Sequence, residues 1–332
     1  MRYYPVTGKF YLHWDGDDKS DYDNAPYNHP EDSENVTVAD TDAEKGYVTI
    51  GLFRDNKPQG VAWQWKSERL LEGFLYGEVD NDGKFTGDEI TFIYPDLLTG
   101  LHGKFRDGEV VEARAVDIVA ERCQQGVKEI KLRFNKKDET VWKRVDTNSL
   151  TSPFARTMEP HERKAVYVGS SRAEGDRQTT GDGVFARRLF LPGELVTYFS
   201  GLKTLEVEMF HDNMTEQEEY EASRYYFGLY DAAPIMWGVG KDIVLDVPSQ
   251  FRDVINFRTT LGHKTNHKFD PEANGGFEVV KHPLFGVIVA IVARDVIEED
   301  EEIFVDYNYS LEDGPLWYKE AHKKMQERLE TK

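Results

Sequence analysis

The sequence predicts a mostly β protein with stacked hairpins in its N-terminal part, a β-rich domain in its C-terminal part and one short helix at the end. Three observations predict this class: a glycine-led, aromatic-rich motif that recurs before residue 110, short apolar runs beyond Lys164, and helical spacing confined to the last residues. The chain has 332 residues, of which 39% are hydrophobic and 13% aromatic. This is enough apolar material for a buried core, which excludes wholesale disorder.

Residues 1–45 form an acidic segment. Only one basic side chain lies between Asp15 and Glu44, and few large apolar residues separate the acids. Such a segment repels itself and buries little surface, so we expect it to be mobile. A calcium loop starting at Asp15 would need glycine and a bidentate acid where Ser20 and Pro26 stand, so we expect the charges to face solvent.

Residues 46–115 carry the recurring motif, whose units begin at Gly51, Gly77 and Gly103, 26 residues apart. Each unit has a polar turn followed by an aromatic-rich extended stretch, which is the pattern of a β-hairpin. Because a lone hairpin is unstable in water, we expect the units to stack so that each covers its neighbour. The pattern resembles MORN repeats, hairpin units that serve mostly as contact surfaces. It predicts an elongated scaffold rather than a specific ligand site.

Residues 116–163 are mixed and charged, and we interpret them as a connecting region that contains one strand-like stretch, Glu129–Phe134, which alternates in period two. Residues 164–309 contain short apolar strands bounded by turns. One of these, Gly286–Ala293, is continuously apolar and should be buried on both faces. Another, Ile303–Tyr309, alternates in period two, so its aliphatic and tyrosine side chains should share one face.

Residues 310–332 contain the single predicted helix. Trp317, Ala321 and Met325 recur at helical spacing in a background rich in Lys and Glu. This pattern is typical of an amphipathic helix that packs one face against a domain.

Composition limits the classes of function. The chain carries 41 basic and 61 acidic side chains, a formal charge of −20, so no direct nucleic-acid binding is expected. A single cysteine, Cys123, excludes an internal disulfide and a four-thiolate zinc site, and it fits a reducing compartment. We find no signal-peptide core and no apolar run long enough to span a membrane, and we therefore expect a soluble intracellular protein.

Most familiar catalytic motifs are absent from the sequence. It has no GxSxG elbow, no GxxxxGK[ST] loop and no GxGxxG turn, so hydrolase and phosphotransferase functions lose support. His263 and His267 have a spacing that could hold zinc on a helix. However, Lys264 stands where such a motif has Glu, and Gly262 precedes the pair, so we predict no metal.

Three separated segments carry the residues that best suggest a binding site: Thr180–Phe185, Leu261–Phe269 and Glu301–Tyr309. The first is a Gly-x-Gly turn entering a strand, where absent Cβ atoms let backbone amides approach a ligand. The second is a polar loop rich in His and Asn, and the third is a strand rich in Tyr. Each alone is explained equally well as a tight hairpin, a surface loop or a half-buried strand. Together and in this order, they point to one site.

These segments, with Trp317 after them, resemble the SET-domain protein-lysine methyltransferases, and specifically the histone-lysine methyltransferase subfamily that joins MORN repeats to a SET domain. The resemblance runs from about Gly46 to the C-terminus and includes the Val244–Pro248 strand and the Gly262–His267 loop. It implies a β-clip fold in which the C-terminal segment passes under a loop to form a knot-like site. It also implies S-adenosylmethionine as methyl donor on one side of that site and a lysine channel on the other, without a metal.

The resemblance implies a role for each matching residue. The catalytic tyrosine falls on Tyr307, whose hydroxyl, together with main-chain carbonyls, would orient the methyl group and the incoming amine. The implied cofactor contacts comprise a turn, a polar loop and a stacking indole: Thr180, Gly181, Asp182, Gly183, His263, Asn266, His267 and Trp317. The implied lysine channel is lined by aromatic side chains: Tyr198, Phe199, Phe277 and Tyr309.

Two phenylalanines depart from the subfamily's pattern. Phe199 and Phe277 stand where it usually presents channel tyrosines, so two hydroxyls that would bind the amine or a water are missing. Family members with Phe at such positions tend to make higher methylation states, and we expect an enzyme that proceeds past monomethyl-lysine. The alternative is a catalytically weak or inactive SET-like scaffold that binds partners through its hairpin repeats.

The resulting prediction is a protein-lysine N-methyltransferase that acts on histone tails or other lysine-rich proteins by direct methyl transfer to a deprotonated amine. Positioning can supply most of the rate of such a displacement, which explains why no acid–base pair is visible. The net negative charge suits a basic substrate. From the family alone we expect a chromatin regulator in the nucleus with a cytoplasmic fraction, and we expect a monomer.

Overall fold

The structure is a computed structural model that divides into two compact units with a boundary between Arg144 and Val145. The described residues are the following: 36–39, 47–54, 57–66, 70–124, 127–135, 138–172, 181–205, 208, 214–215, 226–229, 243–309, 311–312 and 316–330. The mostly β class is confirmed, and both units are built mainly from antiparallel strands.

The first unit contains one eight-stranded sheet whose strands lie side by side in chain order. Every neighbouring pair is antiparallel, as expected of successive hairpins. The strands are β1 (Val36–Ala39), β2 (Tyr47–Arg54), β3 (Lys57–Lys66), β4 (Phe74–Glu78), β5 (Gly87–Ile93), β6 (Thr99–Arg106), β7 (Glu109–Gln124) and β8 (Val127–Phe134). A 3-10 turn, Leu70–Glu72, precedes β4.

Two glycines of the 26-residue repeat allow close approach of neighbouring strands. Gly77 and Gly103 have φ angles of +152° and +157°. A Cβ on Gly103 would lie 2.5 Å from the carbonyl oxygen of Glu112, and one on Gly77 would lie 2.9 Å from that of Glu89. Only glycine fits both the backbone angle and the space, which is the physical basis of the repeat.

The sheet extends further than the sequence pattern indicates. Strand β7 has 16 residues and pairs with β6 along its first part and with β8 along its second. The residues up to Phe134 therefore belong to the sheet, although we predict a connecting region from residue 116. The acidic segment predicted to be mobile also contains β1, which pairs with β2, while residues 1–35 and 40–46 lie outside the described chain.

The described residues of the second unit form three small sheets and two helices. Its strands are β9 (Val166–Ser170), β10 (Asp182–Ala186), β11 (Leu195–Phe199), β12 (Leu202–Leu205), β13 (Tyr226–Gly228), β14 (Ile243–Asp246), β15 (Asn266–His267), β16 (Gly275–His282), β17 (Gly286–Ala293) and β18 (Phe304–Val305). The helices are α1 (Glu162–Ala165) and α2 (Leu316–Glu330). None of the described helices is long and apolar enough to cross a bilayer.

The sheets of the second unit bring distant segments together. Strands β9 and β10 form a hairpin, and β13, β14 and β12 form a sheet with β14 in the centre. The largest sheet has the order β11-β17-β16-β18-β15, in which β18 runs parallel to both β16 and β15. All side chains of β17 are buried, as its uninterrupted apolar sequence predicts.

The segment predicted as a strand up to Tyr309 is regular only over Phe304 and Val305. The chain leaves the sheet because Asp306 accepts a hydrogen bond from the backbone N–H of Asn308 at 2.9 Å, and Asn308 has a φ of +52°. Asparagine and aspartate favour such local turns over a β-ladder. Strand periodicity in this segment therefore ends where the polar turn begins.

Candidate functional site

The three segments singled out in the sequence meet in the second unit. Strand β15 lies parallel to β18, with Asn266 opposite Phe304 and His267 opposite Val305. The side-chain Nδ2 of Asn266 donates a hydrogen bond to the backbone oxygen of Asp182 at 3.0 Å. The Gly-x-Gly turn, the polar loop and the tyrosine segment thus share one region.

The Gly-x-Gly turn is held by contacts on both sides. Gly181 has a φ of +58°, and the backbone N–H of Ser171 donates to its carbonyl at 3.0 Å. The ammonium group of Lys264 lies 3.3 Å from a carboxylate oxygen of Asp182. Apart from its two chain neighbours, no described residue has an atom within 4 Å of the point where a Cβ on Gly181 would stand, so the described part of the structure leaves this side of the turn open.

A buried carboxylate lies behind the second glycine of the turn. Glu302 is 3% exposed, and a Cβ on Gly183 would collide with its side-chain oxygen. The Glu302 carboxylate accepts hydrogen bonds from the hydroxyl of Ser171 at 2.6 Å, the backbone N–H of Arg172 at 2.5 Å and Nδ2 of Asn266 at 3.1 Å. Sequence reasoning missed this residue because it ends a run of acids that a local pattern assigns to solvent.

Tyr307 is fixed by two hydrogen bonds. Its hydroxyl donates to the backbone oxygen of Thr265 at 2.8 Å, and its backbone N–H donates to Nδ1 of His267 at 3.2 Å. The rings of Tyr307 and His267 lie 5.1 Å apart. The tyrosine hydroxyl is thereby attached to the same loop that carries Asn266.

Asp306 anchors the segment around Tyr307 from behind. Besides Asn308, it accepts hydrogen bonds from the hydroxyl of Tyr318 at 3.1 Å and the backbone N–H of Asp270 at 3.3 Å. Burial raises the pKa of Tyr318 to about 12, with a further contribution from Asp306, so this phenol stays protonated and remains a donor. These contacts attach α2 to the tyrosine segment.

The two histidines of the polar loop have different surroundings. Burial lowers the pKa of His267, and the neighbouring Asp306 opposes this only in part, so the ring is neutral at pH 7. His263 is buried, its ring lies 5.2 Å from that of Phe257, and burial followed by the charge of Lys264 lowers its pKa to about 3. His263 is therefore a neutral core side chain.

The strand registers determine on which face of the five-stranded sheet the predicted channel residues lie. Phe277 pairs with Ile291, which pairs with Thr197, and Phe199 lies two residues beyond Thr197 on β11. Since paired residues and residues two apart share a face, Phe199 and Phe277 lie on the same face. The ring of Phe277 also contacts that of Phe227 at 4.7 Å.

Tyr198 and Tyr309 differ in position from this pair of phenylalanines. Tyr198 alternates with Phe199 and so lies on the opposite face; it is 1% exposed, and its ring lies 4.6 Å from that of His282. The ring of Tyr309 lies 5.9 Å from that of Tyr307 in an edge-on arrangement. Tyr198 is thus placed in the core, whereas Tyr309 stays beside the predicted catalytic residue.

A buried acid supports the strand that carries Tyr198 and Phe199. Glu162 accepts hydrogen bonds from the backbone N–H of Tyr198 at 2.7 Å and the hydroxyl of Thr197 at 2.9 Å. Burial raises the pKa of Glu162 to about 8. No sequence pattern distinguishes it from an exposed glutamate in a short helix.

Thr180 and the side chain of Trp317 lie outside the described part of the structure, and their predicted cofactor contacts stay predictions. Within the described residues, no group of three His, Cys, Asp or Glu side chains is arranged to hold a metal ion.

Two family models match parts of the chain. Residues 181–308 match the family model described as the SET domain, and residues 53–128 match the one described as the SET7 N-terminal region of a histone H3 K4-specific methyltransferase. The chain contains a SET domain. It is preceded by a SET7-type N-terminal region that coincides with most of the hairpin sheet.

One curated relative aligns with both parts of this SET-domain chain. The histone-lysine N-methyltransferase SETD7 of Halocynthia roretzi is 27% identical over 261 residues, which cover 76% of this chain. The chain spans 62% of the length of that relative.

Solved structures resemble the chain only in part. The autoinhibited polycomb repressive complex 2 of Chaetomium thermophilum bound to S-adenosylmethionine is 21% identical, with 49% of this chain and 17% of that chain covered and a TM-score of 0.31. A crystal structure of the same complex is 22% identical, with 44% and 16% covered and a TM-score of 0.31.

Proposed function

We propose that this SET-domain chain is an S-adenosylmethionine-dependent protein-lysine N-methyltransferase. The observation that carries the proposal is the meeting of the Gly181–Gly183 turn, the Asn266–His267 loop and Tyr307 in one region. The SET-domain match and the relative named as a histone-lysine methyltransferase support the same class.

The cofactor contacts proposed from the family fit the polar atoms of this chain. Both N–H groups of the Asn266 amide donate to the protein, which leaves its oxygen as an acceptor suited to the ammonium group of the methionine part. The open Gly181 lets the turn's backbone approach that part. His267 and Trp317 are proposed to contact the adenine. When bound, S-adenosylmethionine supplies an electrophilic methyl group on a positively charged sulfonium.

Tyr307 is proposed to orient the substrate lysine. Its hydroxyl proton is directed at the carbonyl oxygen of Thr265, so the lone pairs of the phenol oxygen can accept an N–H of the incoming amine. An amine held in this way presents its own lone pair in one direction, and positioning of this kind supplies much of the rate of a displacement. A dry channel and a nearby positive charge lower the lysine pKa, so its proton can leave to solvent.

Phe199 and Phe277 are proposed to widen the range of products. They lie on the same face of the sheet and carry no hydroxyl that could hold the amine through a hydrogen bond. Methylation replaces N–H groups by bulkier methyl groups, which an apolar wall accommodates better than a hydroxyl does. We therefore propose di- or trimethyl-lysine as the final product.

The proposed substrate is a basic, lysine-rich protein segment such as a histone tail. The chain has a formal charge of −20, and opposite charge increases the rate at which a basic segment is encountered. A histone substrate would place the protein at chromatin in the nucleus.

Mass spectrometry of lysine-rich proteins and histone tails, incubated with the chain and S-adenosylmethionine, tests the proposal. We expect mass gains in steps of one methyl group on lysine. The Tyr307→Phe variant should lose at least 100-fold in rate, about 3 kcal/mol of transition-state stabilisation, while it still binds S-adenosylhomocysteine. Tyr76→Phe, the same change in the hairpin sheet, should keep the wild-type rate. Cofactor binding without methyl transfer to any substrate would favour a non-catalytic scaffold instead.

A further inference from the structure

Glu302 is a buried carboxylate at the centre of the three segments that form the proposed site. Its carboxylate accepts hydrogen bonds from the hydroxyl of Ser171, the backbone N–H of Arg172 and the side-chain amide of Asn266. All three donor groups are uncharged. Among the described residues, no basic side chain forms an ion pair with it. Burying a carboxylate without a basic partner costs free energy, so packing alone does not explain the position of Glu302.

The Glu302 carboxylate determines which way the Asn266 amide faces. One N–H of Asn266 donates to the backbone oxygen of Asp182 at 3.0 Å and the other to Oε1 of Glu302 at 3.1 Å. Rotating the amide by half a turn would place its oxygen against two acceptor oxygens. The amide oxygen is therefore directed away from both, and only this orientation satisfies the amide nitrogen.

We propose that Glu302 is a positioning residue that presents the Asn266 amide oxygen as an acceptor for the ammonium group of S-adenosylmethionine or S-adenosylhomocysteine. This inference rests on the proposed function and adds how the site selects a ligand with a free amino group. It also explains why position 183 is a glycine, because any side chain there would collide with the Glu302 carboxylate. The second glycine of the turn thus makes room for the positioning acid.

Calorimetric titration of the full chain with S-adenosylhomocysteine and with its deamino analogue tests the inference. In Glu302→Gln, the new NH2 group avoids the backbone N–H of Arg172, which can only donate, and therefore faces Ser171 and Asn266. The Asn266 amide then meets a donor in place of an acceptor and is no longer fixed. We expect about a tenfold weaker Kd for S-adenosylhomocysteine, the loss of one charge-assisted hydrogen bond. The Kd of the deamino analogue should stay within about twofold. Glu299→Gln, an exposed change in the same acidic run, should alter neither Kd.

Two further results separate positioning from a structural role. In an Asn266→Ala background, Glu302→Gln should cause no additional loss of affinity, because the group that it positions is gone. If Glu302→Gln does not fold, NMR of the wild type replaces it: the Asn266 side-chain amide protons should exchange slowly both with and without S-adenosylhomocysteine.

Equal loss of both ligands in Glu302→Gln, an undiminished effect in the Asn266→Ala background, or rapid exchange of those amide protons would overturn the inference. Failure of the wild type to bind S-adenosylhomocysteine at all would instead refute the proposed function. Wild-type binding with an unaffected Glu302→Gln variant would refute only the role of Glu302.

Discussion

Tyr307 and the two phenylalanines have different roles in the proposed lysine channel. The tyrosine keeps a hydroxyl whose direction is set by the Thr265 carbonyl, while Phe199 and Phe277 lie on the same sheet face and carry no hydroxyl. In this proposal, one polar oxygen orients the amine and an apolar wall leaves room for the methyl groups added to it. The product distribution should then depend on single oxygen atoms.

Phe277→Tyr should shift the product towards monomethyl-lysine. An added hydroxyl can hold the amine by a hydrogen bond and takes the space of an incoming methyl group, so the second transfer should slow by about tenfold or more, at least 1.4 kcal/mol. Mass spectrometry of the product over time measures the ratio of methylation states. Phe134→Tyr, an exposed change in the hairpin sheet, is the matched control. Unchanged di- and trimethylation in Phe277→Tyr would contradict this role.

Glu162 should make the protein less stable as the pH rises. The unfolded chain releases this proton near pH 4.5, whereas burial keeps it on the native carboxyl up to a pKa of about 8. Over this window the native state binds more protons than the unfolded state, so stability is full below pH 4.5 and is lost towards pH 8. His263 and His282, whose native pKa values are lowered, affect stability only below pH 6.5.

The Glu162→Gln variant isolates this effect. Glutamine keeps an oxygen for the Tyr198 N–H and can donate to the Thr197 hydroxyl, so the native contacts remain. Between pH 6.5 and pH 8, the unfolding free energy of the wild type should fall relative to that of the variant by about 2 kcal/mol. Denaturant unfolding at several pH values measures this difference. Parallel pH curves for the two proteins would show that Glu162 is already ionised in the native state.

At the scale of elements, the hairpin sheet depends on close strand contacts at its repeat glycines. Trp63, Trp65 and Ile93 form a core against one part of the sheet, with the ring of Trp63 4.9 Å from that of Tyr76. A sheet in which every strand contacts only its neighbours is sensitive to any side chain that forces two strands apart.

Gly103→Ala should destabilise the N-terminal unit more than Gly87→Ala. The two glycines have almost the same φ, +157° and +156°, but a Cβ on Gly103 would lie 2.5 Å from the Glu112 carbonyl, while one on Gly87 would meet nothing within 4 Å. The backbone strain is therefore matched, and the overpacking should add about 1–3 kcal/mol at Gly103. Denaturant unfolding followed by tryptophan fluorescence tests this. Equal loss of unfolding free energy in the two variants would mean that the strands can move apart at Gly103 without destabilising the unit.

At the scale of the whole molecule, local patterns predict the elements and their class. The glycine repeat, the apolar strand Gly286–Ala293 and the C-terminal helix are predicted well because period, turn residues and burial on both faces are local properties of the sequence. The strand over Glu129–Phe134 is predicted from its period-two alternation, but its pairing with β7 in the hairpin sheet is not, because pairing depends on the partner strand and not on a local pattern.

The internal contacts of the candidate site are less accessible to sequence reasoning. The buried position of Glu302 depends on Ser171 and Asn266, which are 131 and 36 residues away along the chain. Which of Tyr198 and Phe199 shares a face with Phe277 likewise depends on the strand register. Burial of acids through distant donors is a tertiary property, and local composition alone assigns such residues to solvent.

A crystal structure of the full chain with S-adenosylhomocysteine tests the central claim most directly, namely that the Gly181–Gly183 turn, Asn266 and Tyr307 form one site. We predict that the ligand lies along the turn, with its amino group within hydrogen-bonding distance of Oδ1 of Asn266. A ligand bound elsewhere, or no ligand at this turn when binding is saturated in solution, would contradict the claim.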